Sequence, residues 1–252
     1  MSELWELAHR GLSKLWSDCA EQFPLSGRHI AHELSHPLFN RARHATGMLT
    51  DSRYPERTGT EMMRSTARLA WDEYCTEALA DILTGAISST DDGGVPRPLQ
   101  LWDLWGGADI NSLRDVLGPA HPAWPDLVES YMARQTTLTE MWYEISRSVS
   151  QLFTLLARMQ AQTTVAELPD PLVHASLVDL PATRLYIGEP WSDFRTALKA
   201  EPVLPMLETL QAVENRVVGT GEKAFRAIIE RLGLKVTDLP DKLWIDVTEP
   251  DR

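Results

Sequence analysis

Apolar residues recur at helical spacing through the first third of the chain. One such stretch covers residues 3–23. Another begins after Ser26, a residue type that favours a helix N-cap, and continues through Ile30 and Leu34. A third runs from about Thr60 to Ile87, and residues 50–60 before it have the composition of a loop. The pattern therefore predicts three amphipathic helices before residue 88.

A longer helical pattern runs from Pro125 to about Thr163. Its apolar positions are separated by steps of four and three, as in a heptad seam: Leu138, Trp142, Ile145, Val149, Leu152, Leu156 and Met159. Such a seam must be buried against another helix, and residues 204–232 offer apolar positions at compatible spacing. A break in that second helix is expected near Gly219 and Gly221. We therefore predict an antiparallel helical pair, although the seam could instead join two copies of the chain in a homo-oligomer.

The segment 88–98 is rich in Ser, Asp, Gly and Pro and is predicted to be a linker or long loop. It divides the chain into residues 1–95, which carry the candidate chemistry, and residues 99–252, which are predicted to form a helical hairpin or bundle. The two regions could pack together as one domain. Short β-prone segments at 184–187 and 243–247 indicate at most a small β element. The predicted fold class is mainly α.

Composition and charge narrow the classes of function. Hydrophobic residues make up 43% and charged residues 24% of the 252 residues, which is typical of a globular protein. A formal net charge of −12 argues against nucleic acid or an anionic membrane surface as the main partner, because phosphates repel a net anion. The sequence contains no run of 18 apolar residues, so no membrane span is predicted. Two widely separated cysteines, Cys19 and Cys75, and an N-terminus without a signal-peptide core predict a cytoplasmic protein.

The strongest chemical signal is the sequence His-Glu-Leu-Ser-His at residues 32–36. Histidines four residues apart lie one turn apart on a helix, so both imidazoles of His32 and His36 can reach a single ion. Glu33 directly follows the first histidine, and in sites of this kind that glutamate serves as the general base for the attacking water. A catalytic zinc ion needs a third protein ligand from elsewhere in the fold.

A second segment supplies candidates for that ligand. The predicted third helix contains Leu-Ala-Trp-Asp-Glu-Tyr-Cys-Thr-Glu-Ala-Leu-Ala-Asp at residues 69–81, a few dozen residues after the motif. Over roughly residues 29–83 the chain resembles the gluzincin-type HExxH zinc metallopeptidases, and in particular the ImmA/IrrE-like family. The resemblance implies that His32 and His36 bind Zn²⁺, that Glu33 is the catalytic base and that Glu73 is the third ligand.

Glu77 is an alternative third ligand. Glu77 and Asp81 have the Glu-x-x-x-Asp spacing seen in thermolysin-like enzymes, where the aspartate supports a histidine ligand. Glu73 and Glu77 lie one turn apart on one helix face, so either could reach the metal. The neighbouring Trp71 and Tyr74 favour Glu73.

Two features depart from the pattern of these peptidases. Pro37 directly follows the second histidine, where proline disfavours helical geometry at His36 and clashes with the carbonyl group of Glu33. The motif helix is therefore expected to be distorted there. The small sheet whose edge strand normally binds the substrate is not predicted either, because residues 1–23 have a helical pattern.

These observations predict a zinc-dependent metallopeptidase that hydrolyses a peptide or protein substrate with zinc-activated water. The alternative is a non-catalytic helical interaction or regulatory protein that contains a structural or vestigial zinc site.

Overall fold

The computed structural model describes residues 24–47, 59–88, 98–165, 169–202, 205–239 and 243–249. In these residues the chain is mainly helical, which confirms the predicted fold class. The helices are α1 (Pro24–Ala45), α2 (Gly59–Ser88), α3 (Pro98–Met132), α4 (Leu138–Val165), the short α5 (Pro171–His174), α6 (Gly188–Ala200) and α7 (Leu207–Arg231). The helix predicted over residues 3–23 and residues 89–97 of the predicted linker lie outside the described residues, as does most of the loop predicted over 50–60.

Helix α1 continues through Pro37, so the prediction that this proline disrupts helical geometry at His36 is wrong. Proline lacks the amide N–H that would bond to the carbonyl group four residues earlier, and its ring is exposed. The helix is held to α2 on both sides of the proline, because His36 and Arg43 both contact Asp72. Tertiary contacts therefore compensate for the local preference.

Helices α3 and α4 form an antiparallel hairpin, in which the indole N–H of Trp124 donates to the Ser148 hydroxyl over 3.1 Å. The single helix predicted over 125–163 is therefore wrong, because the chain turns at residues 133–137. A capping box fixes the turn: the Glu140 carboxylate accepts from the Thr137 amide at 2.9 Å, and the Glu140 amide donates to the Thr137 hydroxyl at 3.2 Å. Arg134 takes the left-handed conformation there, with φ of 58°.

The apolar seam of α4 is buried, and its last five positions, Ile145, Val149, Leu152, Leu156 and Met159, are fully enclosed. Its partners are α2 and α3. The predicted pairing with residues 204–232 is wrong, since α7 packs mainly on α2 and α6. A ring contact at 5.7 Å between Phe153 and Phe225 connects α4 to α7 on another face.

Helix α7 is continuous, so the break expected near Gly219 and Gly221 is wrong. Gly221 marks a close helix crossing, because a Cβ atom there would lie 2.7 Å from the Cβ of Ala67 and 2.9 Å from the ring of Phe194. No atom comes within 4 Å of the corresponding position at Gly219. The helix uses glycine at Gly221 for packing instead of for a turn.

The small β element is an antiparallel pair of β1 (Leu234–Asp238) and β2 (Leu243–Val247), with Val236 opposite Ile245. The β-prone segment 243–247 is confirmed as a strand, whereas 184–187 lies in a π-helical turn, Thr183–Ile187. The hairpin caps α2, because the Asp238 carboxylate accepts from the amides of Gly59 and Thr60 at 2.7 and 3.1 Å. In the part of the chain that the structure describes, no helix combines the length and hydropathy that crossing a bilayer requires.

Candidate metal centre

The site lies where α1 packs against the middle of α2. His32 and His36, one turn apart on α1, face Glu73 of α2. His32 is buried, while His36 and Glu73 are half-buried. One potential ligand atom from each residue lies within 4.8 Å of the other two. Among the described residues, these three side chains form a group that could hold a metal ion.

The two imidazoles point the same type of nitrogen at each other and at the Glu73 carboxylate. The Nε2 atoms of His32 and His36 are 3.2 Å apart. Glu73 Oε2 lies 3.5 Å from the Nε2 of His32, and its Oε1 lies 3.7 Å from the Nε2 of His36. Three potential ligand atoms therefore surround one point between α1 and α2.

The half-buried carboxylate of Asp72 orients His36. Asp72 Oδ2 is 2.9 Å from the Nδ1 of His36, and Asp72 Oδ1 accepts from the Nη1 of Arg43 at 2.8 Å. Burial works to raise the pKa of Asp72, but the hydrogen bond from His36 and the charge of Arg43 outweigh it and lower the pKa. Asp72 is therefore ionised at neutral pH and acts as the acceptor for the His36 ring.

His32 has a similar partner on its other nitrogen. Its Nδ1 lies 2.9 Å from Oε2 of Glu77, a carboxylate whose side chain is almost completely buried. The second oxygen of Glu77 accepts from the side-chain amide of Gln162 on α4 at 2.6 Å. Glu77, the alternative third ligand, thus lies on the Nδ1 side of His32, away from the point that the two Nε2 atoms share.

The carboxylates beside the two Nδ1 atoms favour one tautomer for each ring. An ionised carboxylate can only accept, so the Nδ1 of His36 carries a hydrogen, and in the neutral ring the lone pair is then on Nε2. The Glu77 carboxylate, 2.9 Å from the Nδ1 of His32, favours the same tautomer for that ring. With both rings neutral in this tautomer, two lone pairs face each other at 3.2 Å, an arrangement that a shared proton or a bound cation would relieve.

Acidic groups dominate the electrostatics of the site. The hydrogen bond to Asp72 raises the pKa of His36 against the opposing effect of burial, and the charges of Asp72, Glu73 and Glu33 add to the increase. Burial raises the pKa of Glu73, although His32, His36 and Arg158 partly offset this. The site therefore favours added positive charge.

The residues fit a zinc ion. Two neutral imidazoles and one carboxylate are a ligand set of catalytic zinc, in which the fourth position is left for water or substrate. Zinc–nitrogen bonds of about 2.0–2.1 Å at a tetrahedral angle place two nitrogen atoms roughly 3.3 Å apart. The separation of 3.2 Å between the Nε2 atoms of His32 and His36 matches that value.

Glu33, the predicted base, lies on the exposed side of α1. Its side chain is 58% exposed, and its Oε1 is 4.0 Å from the Nε2 of His29, one turn earlier. The carboxylate still acts on the site, because its charge contributes to raising the pKa of His36. Glu33 thus lies at the solvent-exposed edge of the site and does not pack between α1 and α2 with the three ligand candidates.

Four further residues extend the site beyond the predicted set: Arg43, Asp72, Gln162 and Glu214. Asp72 directly precedes Glu73, and Arg43 lies two helical turns after His36, so both could have been suspected from helical spacing. Gln162 and Glu214 lie far along the chain, and no motif indicates that they belong to the site. Comparison with protein-family models, with curated proteins and with solved structures finds no match for this sequence.

Proposed function

We propose that the chain is a zinc-dependent hydrolase that cleaves a peptide bond, with Zn²⁺ held by His32, His36 and Glu73. The observation that carries the proposal is the convergence of two Nε2 atoms and one carboxylate, with each Nδ1 facing a further carboxylate. Structural zinc sites use four protein ligands, whereas catalytic sites use three and leave one position open. The ligand set therefore favours a catalytic role over a structural one.

In the proposed reaction, bound zinc supplies the Lewis acidity that polarises the scissile carbonyl group. The remaining proton transfers belong to the chain. Glu33 takes a proton from the attacking water and delivers it to the leaving amine. Its exposure is compatible with this role, because a base must reach both the water and a substrate that arrives from solvent. His32 and His36 stay neutral throughout, held by Glu77 and Asp72.

A second candidate is a non-catalytic protein in which the metal only stabilises the contact between α1 and α2. The position of Glu33 favours this candidate, since the carboxylate is more than half exposed and faces His29. The described strands are a second point in its favour. They pack on α7 and cap the start of α2, so they do not offer an edge strand beside the ligands.

Cleavage of a random peptide library, read by mass spectrometry of new termini, separates the two candidates. Wild-type protein loaded with one equivalent of Zn²⁺ should cleave, and Glu33→Gln should reduce the rate at least about 100-fold while leaving zinc affinity nearly unchanged. Glu144→Gln, an exposed helical glutamate outside the site, is the matched control and should cleave like wild type. Zinc binding without cleavage by any of the three proteins would favour the structural candidate.

A further inference from the structure

A chain of buried and half-buried charged groups leads from the candidate ligand His36 to helix α7. His36 contacts Asp72, Asp72 accepts from Arg43, and the Nε of Arg43 donates to Glu214 Oε2 at 2.7 Å. The other oxygen of Glu214 accepts from the Nε of Arg68 at 3.0 Å. Glu214 is separated from Arg43 by 171 residues of sequence, so the second half of the chain takes part in the environment of the histidine.

Each group in this chain has little freedom to turn. The side chains of Arg43 and Glu214 are only 6% and 3% exposed. Both oxygens of Asp72 are engaged, one by Arg43 and one by His36, so the carboxylate cannot rotate without losing a partner. Arg43 is held in turn because its guanidinium group bonds to Asp72 through Nη1 and to Glu214 through Nε.

Stability alone is a poor explanation for such an arrangement. The desolvation of two buried charges offsets much of their attraction, and well-packed apolar residues of the same size often stabilise a fold as well or better. Orientation is a better explanation. A planar guanidinium group with fixed donors can align two carboxylates in one plane, whereas the donors of a lysine ammonium group rotate and impose no such geometry.

We propose that Glu214 is a positioning residue for the metal centre. Through Arg43 it fixes the Asp72 carboxylate in the orientation that directs the Nε2 of His36 toward His32 and Glu73. The inference rests on the proposed metal site and adds a requirement that α7 be docked before that site is complete. A metal ligand is commonly oriented by a group that hydrogen-bonds to the side facing away from the metal. For His36 that group is Asp72, and Arg43 and Glu214 extend the support.

The test compares Glu214→Gln with Glu201→Gln in the full chain. Glu201 also pairs with an arginine, Arg216, at 2.8 and 3.0 Å, but that arginine is exposed and the pair lies apart from the site residues, so it is the matched control. Affinity for Zn²⁺ is measured by competition with a chromophoric chelator. Glu214→Gln should bind Zn²⁺ about tenfold more weakly than wild type, and Glu201→Gln should bind like wild type.

A second variant separates positioning from charge. Arg43→Lys keeps the positive charge, so an effect of charge alone predicts unchanged Zn²⁺ affinity, whereas loss of alignment predicts a decrease like that of Glu214→Gln. NMR of histidine-labelled, zinc-loaded protein gives an independent readout. The Nδ1 proton of His36 should be protected from solvent exchange in wild type and in Glu201→Gln, and should exchange faster in Glu214→Gln and Arg43→Lys.

The outcomes distinguish this inference from the metal site itself. If wild type binds no Zn²⁺, the site fails. If wild type binds Zn²⁺ and both Glu214→Gln and Arg43→Lys match it, only the positioning role is overturned. An equal loss in Glu201→Gln would also overturn it, because the effect would then be general. If Glu214→Gln does not fold, Arg43→Lys decides; if neither variant retains the helical circular dichroism of wild type, the pair is needed for folding and the proposal is wrong.

Discussion

The Nε2 atoms of His32 and His36 lie 3.2 Å apart, and each ring has its Nδ1 within 2.9 Å of a carboxylate oxygen. Carboxylates on the Nδ1 side leave lone pairs on the Nε2 side, and like lone pairs at this distance repel. A shared proton or a bound cation between them removes the repulsion, and Glu73 is positioned to share a bound cation. The relationship between these two histidines therefore supports metal binding more directly than the motif alone.

The two glutamates of α2 should contribute differently to metal affinity. Glu73→Gln should reduce Zn²⁺ affinity more than Glu77→Gln, because Glu73 faces both Nε2 atoms and Glu77 faces only the Nδ1 of His32. Loss of an orienting group typically costs about 10–100-fold in affinity, so that is the range expected for Glu77→Gln. Competition with a chelator measures both, and the reverse order would make Glu77 the ligand.

The choice between these two glutamates shows what sequence can and cannot decide. Helical spacing correctly placed His32 and His36 together and put Glu73 and Glu77 on one face of α2. It could not show which carboxylate of α2 each histidine nitrogen would face, because the answer depends on how α1 lies across α2. The contact between Arg43 and Glu214 depends on the docking of α7 and has no local signal.

Two other predictions were wrong because of local sequence signals, one that was outweighed and one that was misleading. The capping-box sequence beginning at Thr137 and ending at Glu140 was available to indicate a helix start inside the segment 125–163, but the regular apolar spacing dominated the pattern. The glycines of α7 suggested a break because glycine has a low helix propensity. Gly221 instead allows α7 to approach Ala67 and Phe194, which only the tertiary structure reveals.

The two glycines of α7 should respond oppositely to alanine. Gly221→Ala should destabilise the protein by about 1–3 kcal/mol, because the new methyl group would overlap the Cβ of Ala67 and the ring of Phe194. Gly219→Ala should be neutral or stabilising by up to about 1 kcal/mol, since its position is open and alanine favours a helix. Urea unfolding of both variants measures the difference, and equal effects would contradict the close crossing at Gly221.

Asp238 should make stability depend on acidic pH. Burial works to raise its pKa, but hydrogen bonds from Thr60 and Gly59 and the charge of Arg226 lower the pKa overall. A carboxylate whose pKa is lower in the folded state stabilises the fold above its unfolded pKa of about 3.9. That contribution is lost as the pH falls through the folded value.

Asp238→Asn tests this contribution. The variant keeps an oxygen acceptor for the start of α2 but loses the negative charge that favours a helix N-terminus, so at pH 7 it should be less stable by about 0.5–1 kcal/mol. The difference between wild type and variant should begin to shrink near about pH 4, where Asp238 of the unfolded chain becomes protonated, and should vanish only below the lowered pKa of the folded state. Urea unfolding of metal-free protein from pH 7 to 3 measures it. A difference that stays constant with pH would contradict the role of the charge.

The most direct test of the metal centre is the zinc content of the purified full-length chain. Protein prepared without chelators and dialysed against Zn²⁺ at pH 7 should contain one ion per chain by atomic emission, and the His36→Ala variant, still helical, should contain none. Replacing His44, an exposed histidine on the same helix, with alanine should leave the content at one. A wild-type chain that retains no zinc, or one that retains the same amount after His36→Ala, would contradict the assignment of His32, His36 and Glu73 as a metal site.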